Sequence, residues 1–106
     1  MRHRLIAQPL ILLVEVVYMK HVVYIIECTN GSYYTGYTTD VERRFQEHQQ
    51  GIRCKYTRAF GAEKIVSFWT FETRSDAMCA EYHIKRLTKK EKQELLFRHA
   101  HRFMRV

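Results

Sequence analysis

The sequence predicts an α+β domain, a small three-stranded antiparallel-type sheet flanked by helices in the order β-β-α-β-α-α. Three observations predict it. Residues 22–26 (VVYII) are β-branched and aromatic throughout, the composition of a strand. Asn30-Gly31 follows, a pair that readily takes the positive φ of a tight hairpin turn. Further on, apolar residues at helical spacing and S/T-x-x-E capping patterns mark helices. The chain of 106 residues suffices for one domain, and 46% hydrophobic with 27% charged residues is an ordinary globular composition.

In chain order, residues 1–18 read as an N-terminal extension of uncertain status. Arg2 and Arg4 precede a short apolar run at 10–14, Glu15 closes it, and no small-residue cleavage site follows. The run is far below the ~20 apolar residues that span a bilayer, so no membrane association is expected. Met19-Lys20 reads as a natural start; a folded extension would add an edge strand. The hairpin follows, with strand 22–26, turn 29–32 and a second strand at 33–35 that Gly36 stops. Alternation sends Tyr33 to the face opposite Tyr34, where it packs. Thr39 is expected to open a helix, with Glu42 completing its capping box. On that helix Arg44 and His48 stand four residues apart and share a face.

Gly51 ends the helix, and residues 52–61 read as a basic loop. There Arg53, Lys55, Tyr56 and Arg58 interleave cations with an aromatic, a pattern suited to following a phosphate backbone. The alternative is a solvated loop with Tyr56 packed beneath it. Residues 64–71 (KIVSFWTF) form a largely apolar third strand, expected at the centre of the sheet. Thr73 or Ser75 caps the next helix, which runs to about Leu87 and buries Ala77, Ala80, Ile84 and Leu87. Glu81 sits at the edge of that stripe, where a carboxylate must be paired or hold a metal; Lys85, one turn on, is the simplest partner. Thr88 and Glu91 form another capping box, opening a last helix through about Phe97. Leu87, Leu95, Leu96 and Phe97 are expected to cover the open side of the sheet, with residues 98–106 as a basic tail.

Eighteen Lys and Arg against 11 Asp and Glu give a formal net charge of +7. Such a field attracts polyanions, nucleic acid first. The cations gather at Arg53, Lys55 and Arg58, at residues 85–92, and at Arg98, Arg102 and Arg105. Cys28, Cys54 and Cys79 are odd in number and lack C-x-x-C spacing, which suggests neither a disulfide framework nor a zinc site and fits a reducing, cytoplasmic compartment. No Gly-rich phosphate loop appears, so no small-molecule cofactor is expected.

Taken in order, Val23-Tyr24-Ile25, Tyr34-Thr35-Gly36, Arg44, His48, Tyr56-Thr57-Arg58 and Glu81 resemble the GIY-YIG nuclease signature, in the variant VYI and YTG. The resemblance covers roughly residues 20–96 and is to the small stand-alone proteins of that family, which places the domain at 19–97. It implies a metal-dependent endonuclease hydrolysing DNA phosphodiester bonds, directed by DNA structure rather than sequence and linked to repair or processing. It further implies that Glu81 holds one divalent ion, Mg²⁺ or Mn²⁺, and that Arg44 clamps the scissile phosphate. Tyr34 would be the general base with Tyr24 in support, and His48 would orient water or share the proton. An unperturbed phenol has a pKa of about 10, so Tyr34 needs positive charge from Arg44 or the ion to ionise. DNA would be held by Arg53, Lys55, Tyr56, Arg58, Lys85, Lys89 and Lys92. Tyr37 stands where some members carry a lysine. A non-catalytic nucleic-acid-binding module or accessory protein is the alternative on the same fold.

Overall fold

The computed structural model describes the backbone of residues 21–104 and the side chains of residues 21–99. The expectations for residues 1–18, and for the basic side chains at Arg102 and Arg105, lie outside the described residues. The elements are β1 (His21–Cys28), β2 (Tyr33–Thr38), α1 (Val41–Gln50), α2 (Lys55–Phe60), β3 (Ala62–Phe71), α3 (Arg74–Lys85) and α4 (Lys89–Met104). The three strands form one antiparallel sheet in the order β2-β1-β3. This is the α+β architecture that the strand and cap signals predict.

The central strand is β1, not the third strand as its apolar run suggested. Val22 through Ile26 are all buried, because a central strand is covered on both faces. In β3 only Ile65 and Ser67 are buried, while Glu63, Lys64 and Thr70 are exposed, as an edge position allows. Val22, Tyr24, Ile26 and Cys28 face α1 and pack with Val41 and Phe45 into the main core. Val23 and Ile25 point to the other face, where α3 lies on the sheet and Ala77 is fully buried. On that face Thr35 is 3% exposed, and its Oγ1 makes no hydrogen bond among the described residues.

Local chemistry explains the boundaries. Asn30 Oδ1 accepts hydrogen bonds from the Ser32 N–H and Oγ–H, and Gly31 takes φ 87°, which closes the hairpin. The second strand does not stop at Gly36 but runs through it to Thr38. Gly36 lies directly opposite Tyr24. A Cβ there would meet the Tyr24 hydroxyl and come within 2.6 Å of its Cζ, so glycine is what lets this ring lie across β2. The cap of α1 is Asp40 rather than Thr39, its carboxylate accepting from the Arg43 N–H at 3.1 Å. Thr73 caps α3, which ends at Lys85, two residues short of Leu87. Thr88 and Glu91 form the reciprocal capping box that the sequence predicts, at 2.8 and 3.1 Å. The last helix continues to Met104 instead of ending near Phe97. Leu95 and Leu96 are half-buried, but Phe97 is exposed rather than covering the sheet.

Residues 52–61 also differ from expectation. A six-residue helix, α2, replaces the basic loop from Lys55 to Phe60. It turns Thr57 inward to full burial and leaves Lys55, Tyr56, Arg58 and Phe60 outward. The inward turn of a short helix depends on tertiary contacts that composition does not reveal.

A tyrosine–histidine–threonine chain beside two arginines

Strand register and one helix build the candidate active site. Tyr24 and Tyr34 lie on the same face of the sheet, because Tyr24 opposes Gly36 and Ile26 opposes Tyr34. Their ring centroids are 6.5 Å apart. From α1, His48 enters the space between them. It is fully buried and lies 5.6 Å from the Tyr24 ring and 5.0 Å from the Tyr34 ring, centroid to centroid. Its Nε2 is hydrogen-bonded to the Tyr24 hydroxyl at 2.8 Å, and its Nδ1 to the Thr57 hydroxyl at 2.9 Å. Tyr24 and Thr57 are themselves 2% and 1% exposed. The three form a closed polar chain, and neither histidine nitrogen is left for a water.

Burial sets the acidities. It pushes His48 down to about 4, with the Arg44 charge acting in the same direction and Glu47 opposing, so the imidazole is neutral at physiological pH. It pushes the Tyr34 phenol up to about 12, helped by Cys54 and Glu81 and opposed by Arg44. Tyr24 is raised further still, by burial first and then by Tyr34, against the charge and N–H groups of Arg44. The expectation that Arg44 would ease ionisation holds in sign, but desolvation outweighs it at both phenols.

Arg44 is partly covered, its guanidinium donating to Glu47 Oε1 at 2.9 Å. The other oxygen of Glu47 faces Arg53 at 3.9 Å. Glu81 is paired with Lys85 at 3.2 Å, the partner expected from spacing alone. It is nonetheless near enough for its charge to act on the Tyr34 hydroxyl. Among the described residues no cluster of three or more His, Cys, Asp or Glu side chains could enclose a metal. One mostly covered carboxylate at the edge of the site fits a hard ion that keeps most of its waters and takes phosphate oxygens, and would not fit zinc.

The residues expected to hold DNA divide into two groups. Tyr56 packs on Tyr34 at 5.8 Å and on Phe60 at 4.9 Å, which brings α2 with Lys55 and Arg58 to the site. Lys89 instead lies over the Tyr33 ring at 5.9 Å, on the sheet face that points away from Tyr34. Lys92 is half-buried, and burial together with Lys85 lowers its pKa. Tyr37 is turned to that same far face, stacked on His21 with Arg74 over its ring at 5.4 Å. Glu47 and Cys54, whose thiol lies beside the Tyr34 hydroxyl, escaped the sequence, and Thr57 entered it only within the Tyr56-Thr57-Arg58 stretch, with no role. Glu47 carried a signal, since it stands three residues after Arg44 on a helix. Cys54 carried none, and the inward turn of Thr57 depends on α2.

The family profile described as the GIY-YIG catalytic domain matches residues 20–94. UPF0213 protein BH0048 of Halalkalibacterium halodurans is 47% identical, over 74% of this chain and 83% of that protein. UPF0213 protein HQ_3675A of Haloquadratum walsbyi is 52% identical, over 71% of this chain and 84% of that protein. The solution NMR structure of the protein EF2693 from E. faecalis is similar with a TM-score of 0.52 and 41% identity, covering 76% of this chain and 85% of that one.

Proposed function

We propose, from the premise that this chain belongs to the GIY-YIG catalytic domain family, that it is a metal-dependent endonuclease cleaving DNA phosphodiester bonds. What supports this most is the convergence of Arg44, Tyr34 and the buried Tyr24–His48–Thr57 chain, which simple nucleic-acid binding does not need.

Arg44 offers a planar fork of donors for the scissile phosphate. Tyr34, the less buried phenol, takes the proton of the attacking water once ionised; the water oxygen bonds to phosphorus and the bond to the leaving oxygen breaks. Glu81 would hold the divalent ion, Mg²⁺ or Mn²⁺, which supplies charge for the phosphate and the departing oxygen when bound. His48 cannot orient water, because both ring nitrogens are engaged. It is hydrogen-bonded to the Tyr24 hydroxyl and so fixes that group beside Arg44. Arg53, Lys55, Tyr56 and Arg58 carry the DNA backbone toward Tyr34, and the substrate is chosen by DNA structure, as in repair or processing. No DNA-reading helix-turn-helix or zinc finger accompanies these elements among the described residues. A cytoplasmic setting accords with the free cysteines; no described helix is long and apolar enough to cross a membrane.

The test is a panel of single-stranded, duplex, nicked and branched DNA with Mg²⁺, Mn²⁺ or EDTA, run on wild type and Tyr34→Phe. Metal-dependent cleavage that Tyr34→Phe loses is expected. Binding without cleavage on any substrate would hand the molecule to the binding-module reading.

A further inference from the structure

Arg44 does not stand free to receive a phosphate. Its guanidinium already holds a carboxylate oxygen of Glu47 at 2.9 Å, and both side chains are about four-fifths covered, with relative exposures of 22% and 19%. A carboxylate here has two opposite effects on a phosphate clamp. It fixes the long arginine side chain in one place, and it repels the anion that the arginine must bind. A second arginine stands ready for the same carboxylate. Arg53 reaches Glu47 Oε2 at 3.9 Å, looser than the Arg44 contact, with its own side chain 72% exposed. The backbone of Arg53 is left-handed at φ 65°, the one such non-glycine residue among those described. Gly or Asn would adopt that conformation at less cost. It follows directly on the turn where the N–H groups of Gly51 and Ile52 close onto the carbonyls of His48 and Glu47. The turn thus carries the Arg53 guanidinium back toward the helix it has just left.

We infer that Glu47 is a positioning residue with two partners: it holds and aims Arg44 at rest, and passes to Arg53 when a phosphate diester takes Arg44. This rests on the nuclease reading of the site above. The exchange keeps the carboxylate neutralised at the moment the phosphate arrives. It removes the repulsion that a lone Glu47 would exert, while Arg44 keeps a fixed approach.

The experiment measures single-turnover cleavage in Mg²⁺ beside equilibrium binding of a duplex oligonucleotide in Ca²⁺, for wild type, Glu47→Gln, Glu47→Asp, Arg53→Ala and the Glu47→Gln/Arg53→Ala pair. Glu47→Gln should bind DNA about three- to fivefold more tightly, the scale of removing one screened like charge beside the phosphate. It should cleave about 10–100-fold more slowly, the scale of losing an orienting partner. Glu47→Asp keeps the charge but is too short to hold Arg44, so it should slow cleavage without the gain in affinity. Arg53→Ala should weaken binding more in the wild-type background than in Glu47→Gln, a non-additivity that marks coupling rather than separate phosphate contacts. Rate and affinity falling together in Glu47→Gln, or neither changing, would overturn the inference. If wild type cleaves nothing, the nuclease reading fails on its own account. The affinities and the Arg44 Nε–H resonance, with and without oligonucleotide, then decide: tighter binding and a displaced resonance in Glu47→Gln uphold the role, and unchanged values end it.

Discussion

Arg44 is the side chain at which binding and catalysis separate. A group that clamps phosphate mainly in the transition state affects rate more than ground-state affinity. Arg44→Ala should slow single-turnover cleavage about 10²-fold or more, while DNA affinity falls only slightly because the other cations remain. Arg44→Lys should rescue poorly, since an ammonium lacks the planar fork. Equal losses of rate and affinity would make Arg44 a binding residue. His48 gives a test that needs no substrate. Its folded pKa of about 4 lies below the unfolded value, so the unfolded chain takes up the proton first as pH falls. The stabilising effect is complete above about pH 6.5 and is lost as pH drops toward 4, on the order of 3 kcal/mol across that window. Urea melts from pH 7 to 4 should show that loss, and His48→Gln should flatten it. The resemblance to the signature picked out Tyr24, Tyr34, Arg44 and His48, and helical spacing set Arg44 and His48 on one face. It left Glu47 unread and Thr57 without a role, because those roles exist only through the side chains they meet.

At the scale of elements, the site joins the central strand of the sheet to the shortest of the described helices. Tyr24 belongs to β1, bonded on both sides; Thr57 belongs to α2, a helix too short to persist alone. Hydrogen exchange should find the α2 amides opening well before those of β1, and cleavage should fade on mild heating before the sheet melts. Simultaneous loss of both would mean that α2 is locked to the sheet. The close approach of the Tyr24 ring to β2 is tested by Gly36→Ala, where the added methyl meets that ring. A cost of about 1–3 kcal/mol is expected in denaturant melts, with a weakened Tyr24–His48 contact. Caps and turns written in adjacent residues, such as Thr88 with Glu91, could be read directly from the chain. The order of strands could not, since an apolar run in β3 and one in β1 look alike until pairing decides which is enclosed.

The whole molecule carries +7, and its cations lie on more than one side. Each phosphate neutralised releases counterions, so affinity for DNA should fall steeply from low to physiological salt. Lys55→Glu with Arg58→Glu, on the side of Tyr34, should reduce both binding and cleavage. Lys89→Glu, beside Tyr33 on the reverse face, should lower affinity while leaving the single-turnover rate at saturating protein close to normal. Equal effects from the two sides would mean that DNA wraps the domain. Charge count alone predicts the salt effect; only the fold tells which cations stand beside the chemistry.

One buried hydroxyl bears on how all these variants are read. Thr35 is the middle residue of the second signature triplet, yet it points away from Tyr34 and leaves its Oγ1 without a hydrogen bond among the described residues. Valine has nearly the same shape, suits a strand, and has no hydroxyl to bury. Thr35→Val should therefore raise stability by about 1 kcal/mol in denaturant melts with unaltered cleavage. That variant would serve as a reinforced background in which damaging changes at Gly36, His48 or Arg44 still fold, so that a lost rate reports chemistry and not a shortage of native protein.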